Sequence, residues 1–303
     1  MSKFSIMVDT SCDLSQEYLD KHSIKTVPIM FNLDGVEHKG GRWQEISDAA
    51  FYDALGSGSS AGTTLINQET FREIFTDYAE RGEELLAILL SGGLSGTYQN
   101  AVLALEEVKE KYPDCKIFVL DSFNAAGGVG IVTIEAVNKR AEGASLEETG
   151  KWLEERRHRC LSLFTVDDLM YLHRGGRLSK VQAVAGSIIG IKPLLNVHPD
   201  GTLKLKDKAR GRKAALERLV AQMKRSLNPD TELGAIVVSH SNCREDAETL
   251  VELIKKDTKV DEVFIEMMGP VIGCHVGPGC IALFFVADMD RPEYEAKFYS
   301  KKK

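Results

Sequence analysis

Leu85-Leu86-Ala87-Ile88-Leu89-Leu90-Ser91-Gly92-Gly93-Leu94-Ser95-Gly96-Thr97-Tyr98-Gln99 decides the fold of this chain. Six apolar residues in a row read as a strand covered on both faces. Ser91-Gly92-Gly93 ends it. Beyond Gly96, the residues Tyr98, Val102, Leu105 and Val108 recur at helical spacing. A buried strand, a glycine turn and a helix make one unit of a parallel, helix-covered sheet.

The same alternation runs outward from there. Residues 4–8 form a short apolar strand that ends at Asp9-Thr10-Ser11-Cys12-Asp13. A short helix at 15–22, a strand at 25–31 and a hairpin at 33–38 around Asp34-Gly35 follow. Helix 47–55 leads into a Gly/Ser loop at 56–60. Phe71, Ile74, Phe75 and Tyr78 make one apolar helix face, with Asn67 as its N-cap. Residues 116–120 read as a strand and 125–141 as a helix. Ser145 and Glu148 form a capping box that opens a helix through about residue 159.

The pattern changes near residue 160. Strand 161–165 and helix 166–173 are followed by two strands, 194–197 and 202–206, around His198-Pro199-Asp200-Gly201, a strong turn signal. Helices at 212–226 and 243–256 bracket strand 235–239, and strands 263–266 and 281–287 follow. The eleven residues from Gly269 to Gly279 carry so much Gly and Pro that they read as a loop. Lys301-Lys302-Lys303 reads as a frayed tail. The expected architecture is α/β, with an N-terminal parallel-sheet α/β domain (1–160) and a C-terminal α+β domain (161–303).

Composition narrows the function. At roughly 150 residues per domain, 303 residues fit two domains or one large one. With 43% hydrophobic and 27% charged residues, disorder is disfavoured. A net charge of −7 lacks the overall basic footprint of a nucleic-acid binder. The longest apolar runs, 85–90 and 280–287, fall far short of the ~18 residues of a membrane span. The N-terminus lacks the apolar stretch of a signal peptide, so a cytoplasmic location is expected. The six cysteines include no C-x-x-C and read as reduced thiols.

Several chemistries are weighed on residues. No P-loop or H-E-x-x-H occurs. Gly56-Ser57-Gly58-Ser59-Ser60-Ala61 fits a dinucleotide fingerprint formally but follows a helix rather than a strand. Cys274-His275, near Cys280, lacks further ligands, so neither a metal nor a cofactor is expected. Gly93-Leu94-Ser95-Gly96-Thr97 is one residue from a nucleophile elbow. Ser95 with His275 and an early Asp would make a hydrolase triad; Ser95 as a simple helix cap is an equal alternative. A third reading takes the N–H groups of 91–97 as an anion site at a helix N-terminus. Thr63-Thr64 would supply a second polar loop and residues 9–13 a third. Arg174, Arg177, Arg210 and Arg212 are either solvated surface or a charged rim for an anion or partner.

Together these stretches resemble the DegV family. The resemblance rests on Asp9-Thr10-Ser11-Cys12-Asp13-Leu14, on the segment from Ser91 to Gln99, on residues 172–179, and on His275-Val276-Gly277-Pro278-Gly279. It implies a lipid tunnel between the two domains that holds a long-chain fatty acid. Thr63, Thr64, Gly92, Gly93, Ser95 and His275 would surround its carboxylate. It also implies a separate dihydroxyacetone-kinase-like fatty acid kinase subunit that phosphorylates the bound carboxylate, with Arg174, Arg177 and Arg210 facing that partner or the phosphate. The chain itself would perform no chemistry. Leu65 and Ile66 stand where the family has Gln and Pro, and Gly92 stands where it has a second serine. The site would then lean more on backbone N–H groups, Thr63 and His275.

Overall fold

Pro28 divides the first stretch of extended chain between two sheets. The computed structural model describes residues 4–41, 44–186, 190–256 and 258–299. β1 (Ser5–Asp9), α1 (Gln16–Lys21) and β2 (Ile24–Val27) precede the break. β3 (Met30–Leu33) and β4 (Val36–Lys39) follow it as a hairpin. The expected single strand at 25–31 is therefore two. Proline has no N–H for a ladder and punctuates a strand. α2 (Asp48–Gly56), β5 (Ala61–Thr64), α3 (Gln68–Arg81), β6 (Leu85–Leu89), α4 (Thr97–Lys111) and β7 (Ile117–Asp121) complete the N-terminal half. Thr63 and Thr64 lie on β5 rather than in a loop. They pair with Phe31 and Met30, closing a small antiparallel sheet of order β4-β3-β5.

The main N-terminal sheet is parallel, in the order β2-β1-β6-β7. All five residues of β6 are buried. Leu85, Ala87 and Leu89 pack with Phe71, Phe75 and Ala101 from α3 and α4. Leu86 and Ile88 point the other way, into a core with Val129 and Val132. The period of two in a strand forces that division. Between α4 and its neighbours the buried stripe is Thr97, Ala101, Ala104 and Val108, not the larger Tyr98, Val102 and Leu105. Small residues face inward where α3 and the sheet crowd the helix.

α5 (Gly127–Ala141) joins the two halves. It contacts β1 and β6 on one side and β8, β11 and β13 on the other. That explains its burial almost all round. α6 (Leu146–Arg156), opened by the expected Ser145–Glu148 capping box, leads through a 3-10 turn into the second sheet.

That sheet begins with β8 (Cys160–Thr165). α7 (Leu169–Arg174), α8 (Lys180–Gly186), β9 (Ile191–Val197), β10 (Leu203–Arg210), α9 (Arg212–Arg225), β11 (Leu233–His240), α10 (Arg244–Lys255), β12 (Val260–Met267), α11 (Pro270–Val276), β13 (Ile281–Val286) and α12 (Arg291–Tyr299) follow. Its order is β10-β9-β8-β13-β11-β12, antiparallel except for β11 with β12. α9 and α10 supply side chains to the core on its outer face.

α11 is the second correction. The Gly/Pro content of 269–279 suggested a loop, yet Pro270, Gly273 and Gly277 each suit a helix. Pro270 sits in the first turn, where no N–H is needed. Gly273 lets the helix close on Phe51 and Tyr52; a Cβ there would lie 2.6 Å from the Phe51 ring. Gly277, at φ +67°, ends it. The Lys301–Lys303 tail lies outside the described residues.

Candidate functional site

A cavity lies between the two sheets, walled by both halves of the chain. Its volume is about 170 Å³. A single water needs only ~10–15 Å³ by that measure, so this is no packing defect. Leu90, Leu94, Phe164, Val197, Leu203 and Phe284 make its walls apolar. Thr63, Ser95, Arg177 and His275 also line it.

Thr63, Arg177 and His275 gather at one end of the cavity. α11 packs on β5 and α7. The Nε2 of His275 therefore meets Thr63 Oγ1 at 2.9 Å. His275 Nδ1 is buried without a partner. It abuts Gly175, where a Cβ would come within 2.3 Å of it. Arg177 closes the same end: its Nε donates to Leu94 O at 3.0 Å and its Nη1 to Gly175 O. No carboxylate pairs with Arg177 among the described residues. Ser95 follows Leu94; its Oγ accepts from Thr97 N at 3.2 Å and donates to Thr97 Oγ1 at 3.0 Å.

Burial, with Arg177 nearby, pushes the His275 pKa down to about 4. The imidazole is neutral at pH 7 and hydrogen-bonds without adding charge. The positive charge at this end belongs to Arg177. Burial lowers its pKa, but a guanidinium stays protonated. The cavity end thus offers a hydroxyl, a neutral imidazole and a guanidinium free of acidic partners. An anionic head group with an apolar tail fits that polarity.

The His275 shift sets a pH dependence. The ordinary pKa is 6.5 and the folded value about 4, so between them the unfolded chain holds the extra proton. The His275 contribution to stability is present above pH 6.5 and is lost as the pH falls towards 4. Urea unfolding of wild type and His275→Gln at pH 7, 6 and 5 isolates it, because other groups cancel in the difference. Wild type should lose stability relative to the variant on acidification. Parallel profiles would refute a buried neutral imidazole.

The remaining expected site residues lie elsewhere. Thr64 points to the opposite face of β5 and is exposed. Gly92 N donates to Asp121 Oδ2 at 3.1 Å and Gly93 N to Ser91 Oγ at 3.2 Å, so neither is aimed at the cavity. Gly93 instead admits the turn between β9 and β10; a Cβ there would lie 2.7 Å from Asp200 O. Arg174 is exposed and sits over the Tyr171 ring at 4.5 Å. Arg210 is exposed at the end of β10. Arg212 is tied to Asp246 at 2.9 Å. The loop after β1 borders a second, polar cavity through Thr10, Cys12 and Asp13. Asp9 is buried and accepts from Leu90 N at 2.6 Å, which fixes the end of β6.

No hydrogen bond joins Ser95 to His275, and no carboxylate meets the free His275 nitrogen, among the described residues. The parts of a triad are present but not assembled. Sequence reasoning missed Met268, Val271 and Ile272, which α11 and its entry present to the cavity. It also missed Ser162 on β8, for which Leu161-Ser162-Leu163 gives no signal beyond an interrupted apolar run.

No helix among the described residues is long and apolar enough to cross a membrane. Residues 3–288 match the model of a family described as uncharacterised protein, DegV family. A DegV domain-containing protein of Clostridium perfringens is 37% identical over 293 residues, covering 96% of this chain and 100% of that one. A DegV lipid-binding protein of Thermotoga maritima superposes with a TM-score of 0.83 at 28% identity, over 95% of this chain and 99% of the other. A fatty-acid-binding DegV family protein of Thermus thermophilus gives 0.83 at 27% identity, over 94% and 99%.

Proposed function

Because this chain belongs to the DegV family, we propose that it carries a long-chain fatty acid, tail in the cavity between its sheets and carboxylate at the His275 end. The observation that carries this reading is the polarity of that cavity. Its walls are apolar, and its polar lining includes a neutral Thr63–His275 pair and an Arg177 with no acidic partner among the described residues. Burying a 16-carbon tail at about 0.8 kcal/mol per CH₂ gains roughly 10 kcal/mol before the costs of association. The head-group contacts then mainly set orientation.

The carboxylate is presented to a separate kinase subunit, which forms the acyl phosphate. The cavity end has groups to hold and polarise a carboxylate but no assembled nucleophile, which suits a carrier without chemistry of its own. Arg177 belongs to the head-group end in this reading. The exposed Arg174 and Arg210 are left to face the partner, and the cytoplasm is where the two would meet.

Purified protein should hold a fatty acid close to one per chain. Mass spectrometry of an organic extract measures this directly. Protein that releases no stoichiometric lipid, and takes up none when palmitic or stearic acid is supplied, would overturn the proposal.

A further inference from the structure

One polar side chain in the cavity wall stands apart from the head-group cluster. Ser162 lies on β8, two residues before Phe164, and both line the cavity. In the sheet register Phe164 faces Ala282 and Ser162 faces Phe284. β13 leaves the α11 end at Ile281, so Ser162 is one rank further along, about 7 Å at strand spacing. Phe284 is its cross-strand partner, and Ala125 and Ala126, which follow its hydrogen-bond partner Asn124, line the cavity as well.

The hydroxyl proton of Ser162 can be placed. Arg291 Nη2 donates to Asn124 Oδ1 at 2.7 Å. Asn124 Nδ2 donates to the Ser122 and Cys160 carbonyls at 3.1 and 3.4 Å. The Asn124 amide is therefore fixed with its oxygen as acceptor. Ser162 Oγ lies 2.5 Å from that oxygen, so Ser162 must be the donor. Its proton is committed away from the cavity. Its lone pairs remain, and no donor among the described residues meets them. The wall thus offers one hydrogen-bond acceptor in an otherwise apolar stretch.

We propose that the cavity accepts acyl chains bearing a hydroxyl, and that Ser162 Oγ recognises that hydroxyl as its acceptor. The ligand class is then hydroxylated as well as unsubstituted long-chain fatty acids. This rests on the carrier reading above. The expected preference is severalfold rather than larger, because the Ser162 proton stays bonded whichever chain is bound. Only a lone pair goes unmet with a plain chain.

The test uses full-length protein stripped of lipid. Stearic acid competes against monohydroxystearic acids with the hydroxyl moved position by position along the chain. At least one isomer should bind about fivefold more tightly than stearic acid. Ser162→Ala should bring that ratio to about one. Wild type that binds every isomer no better than stearic acid overturns the proposal, whatever the variant does. A preference that survives in a folded Ser162→Ala protein overturns it too. If neither stearic acid nor any isomer binds, the carrier reading itself falls.

Discussion

Arg291→Met should lower the melting temperature by roughly 5–10 °C. Arg291 opens α12 and is 1% exposed, with no carboxylate bonded to it among the described residues. Burial pulls its pKa down to about 10, so it remains charged. It spends that charge on the Phe123 carbonyl, Asn124 Oδ1 and the Cys160 carbonyl, the last two at 2.7 and 2.6 Å. Phe123 and Asn124 lie in the turn after β7 and Cys160 begins β8, so one side chain ties the exit of the first sheet to the entry of the second. Methionine keeps much of the volume but leaves several buried acceptors short of a donor. Each such loss costs about 1–3 kcal/mol. Removing a buried charge refunds part of it. A net of about 3 kcal/mol, at ~2–4 °C per kcal/mol or slightly less for a chain of this length, gives the stated range. Arg291→Lys should not rescue, since one ammonium cannot span three acceptors set for a planar fork. Scanning calorimetry decides; a methionine variant melting within 2 °C of wild type would show that the cluster is satisfied another way.

The sequence made legible what one stretch of chain determines by itself. β6 needs no partner to be recognised, because six apolar residues in a row suit few places other than a sheet centre. The Ser145–Glu148 box lies within four residues and was readable for the same reason. Pro28 and α11 failed in opposite ways. Proline split an apolar run that looked continuous, and Pro270, Gly273 and Gly277 looked like breakers although each occupies a helix position that suits it. Only packing against Phe51 and Tyr52 reveals why Gly273 is there.

The site was less legible because it joins distant residues. Thr63 and His275 meet across 212 positions. The residue types that fill an ordinary core also line a cavity, so the apolar walls left no mark in composition. Ser95 shows the limit of motif spacing. It follows a buried strand and precedes a helix, as a nucleophile would, yet its hydroxyl is occupied with Thr97.

Gly175→Ala should reduce fatty-acid affinity about tenfold, and the loss should depend on His275. Gly175 caps α7 at φ −70° and ψ −8°, where alanine is fully at home. Its N–H bonds to Tyr171 O at 2.9 Å, and alanine keeps that bond. The objection to a methyl group is His275, whose Nδ1 would lie 2.3 Å away. The backbone is anchored, so the imidazole must swing off the new methyl and leave Thr63. That removes the paired hydroxyl and imidazole from the head-group end and pushes a ring into the space a carboxylate would use. Stability should fall by only about 1–3 kcal/mol, the usual cost of overpacking. The decisive measurement is a double-mutant cycle. In a His275→Ala background the methyl meets no ring, so adding Gly175→Ala should change affinity less than twofold. Equal losses in both backgrounds would mean that Gly175 acts through the α7 backbone. The Thr63–His275 pair would then not be what the glycine protects.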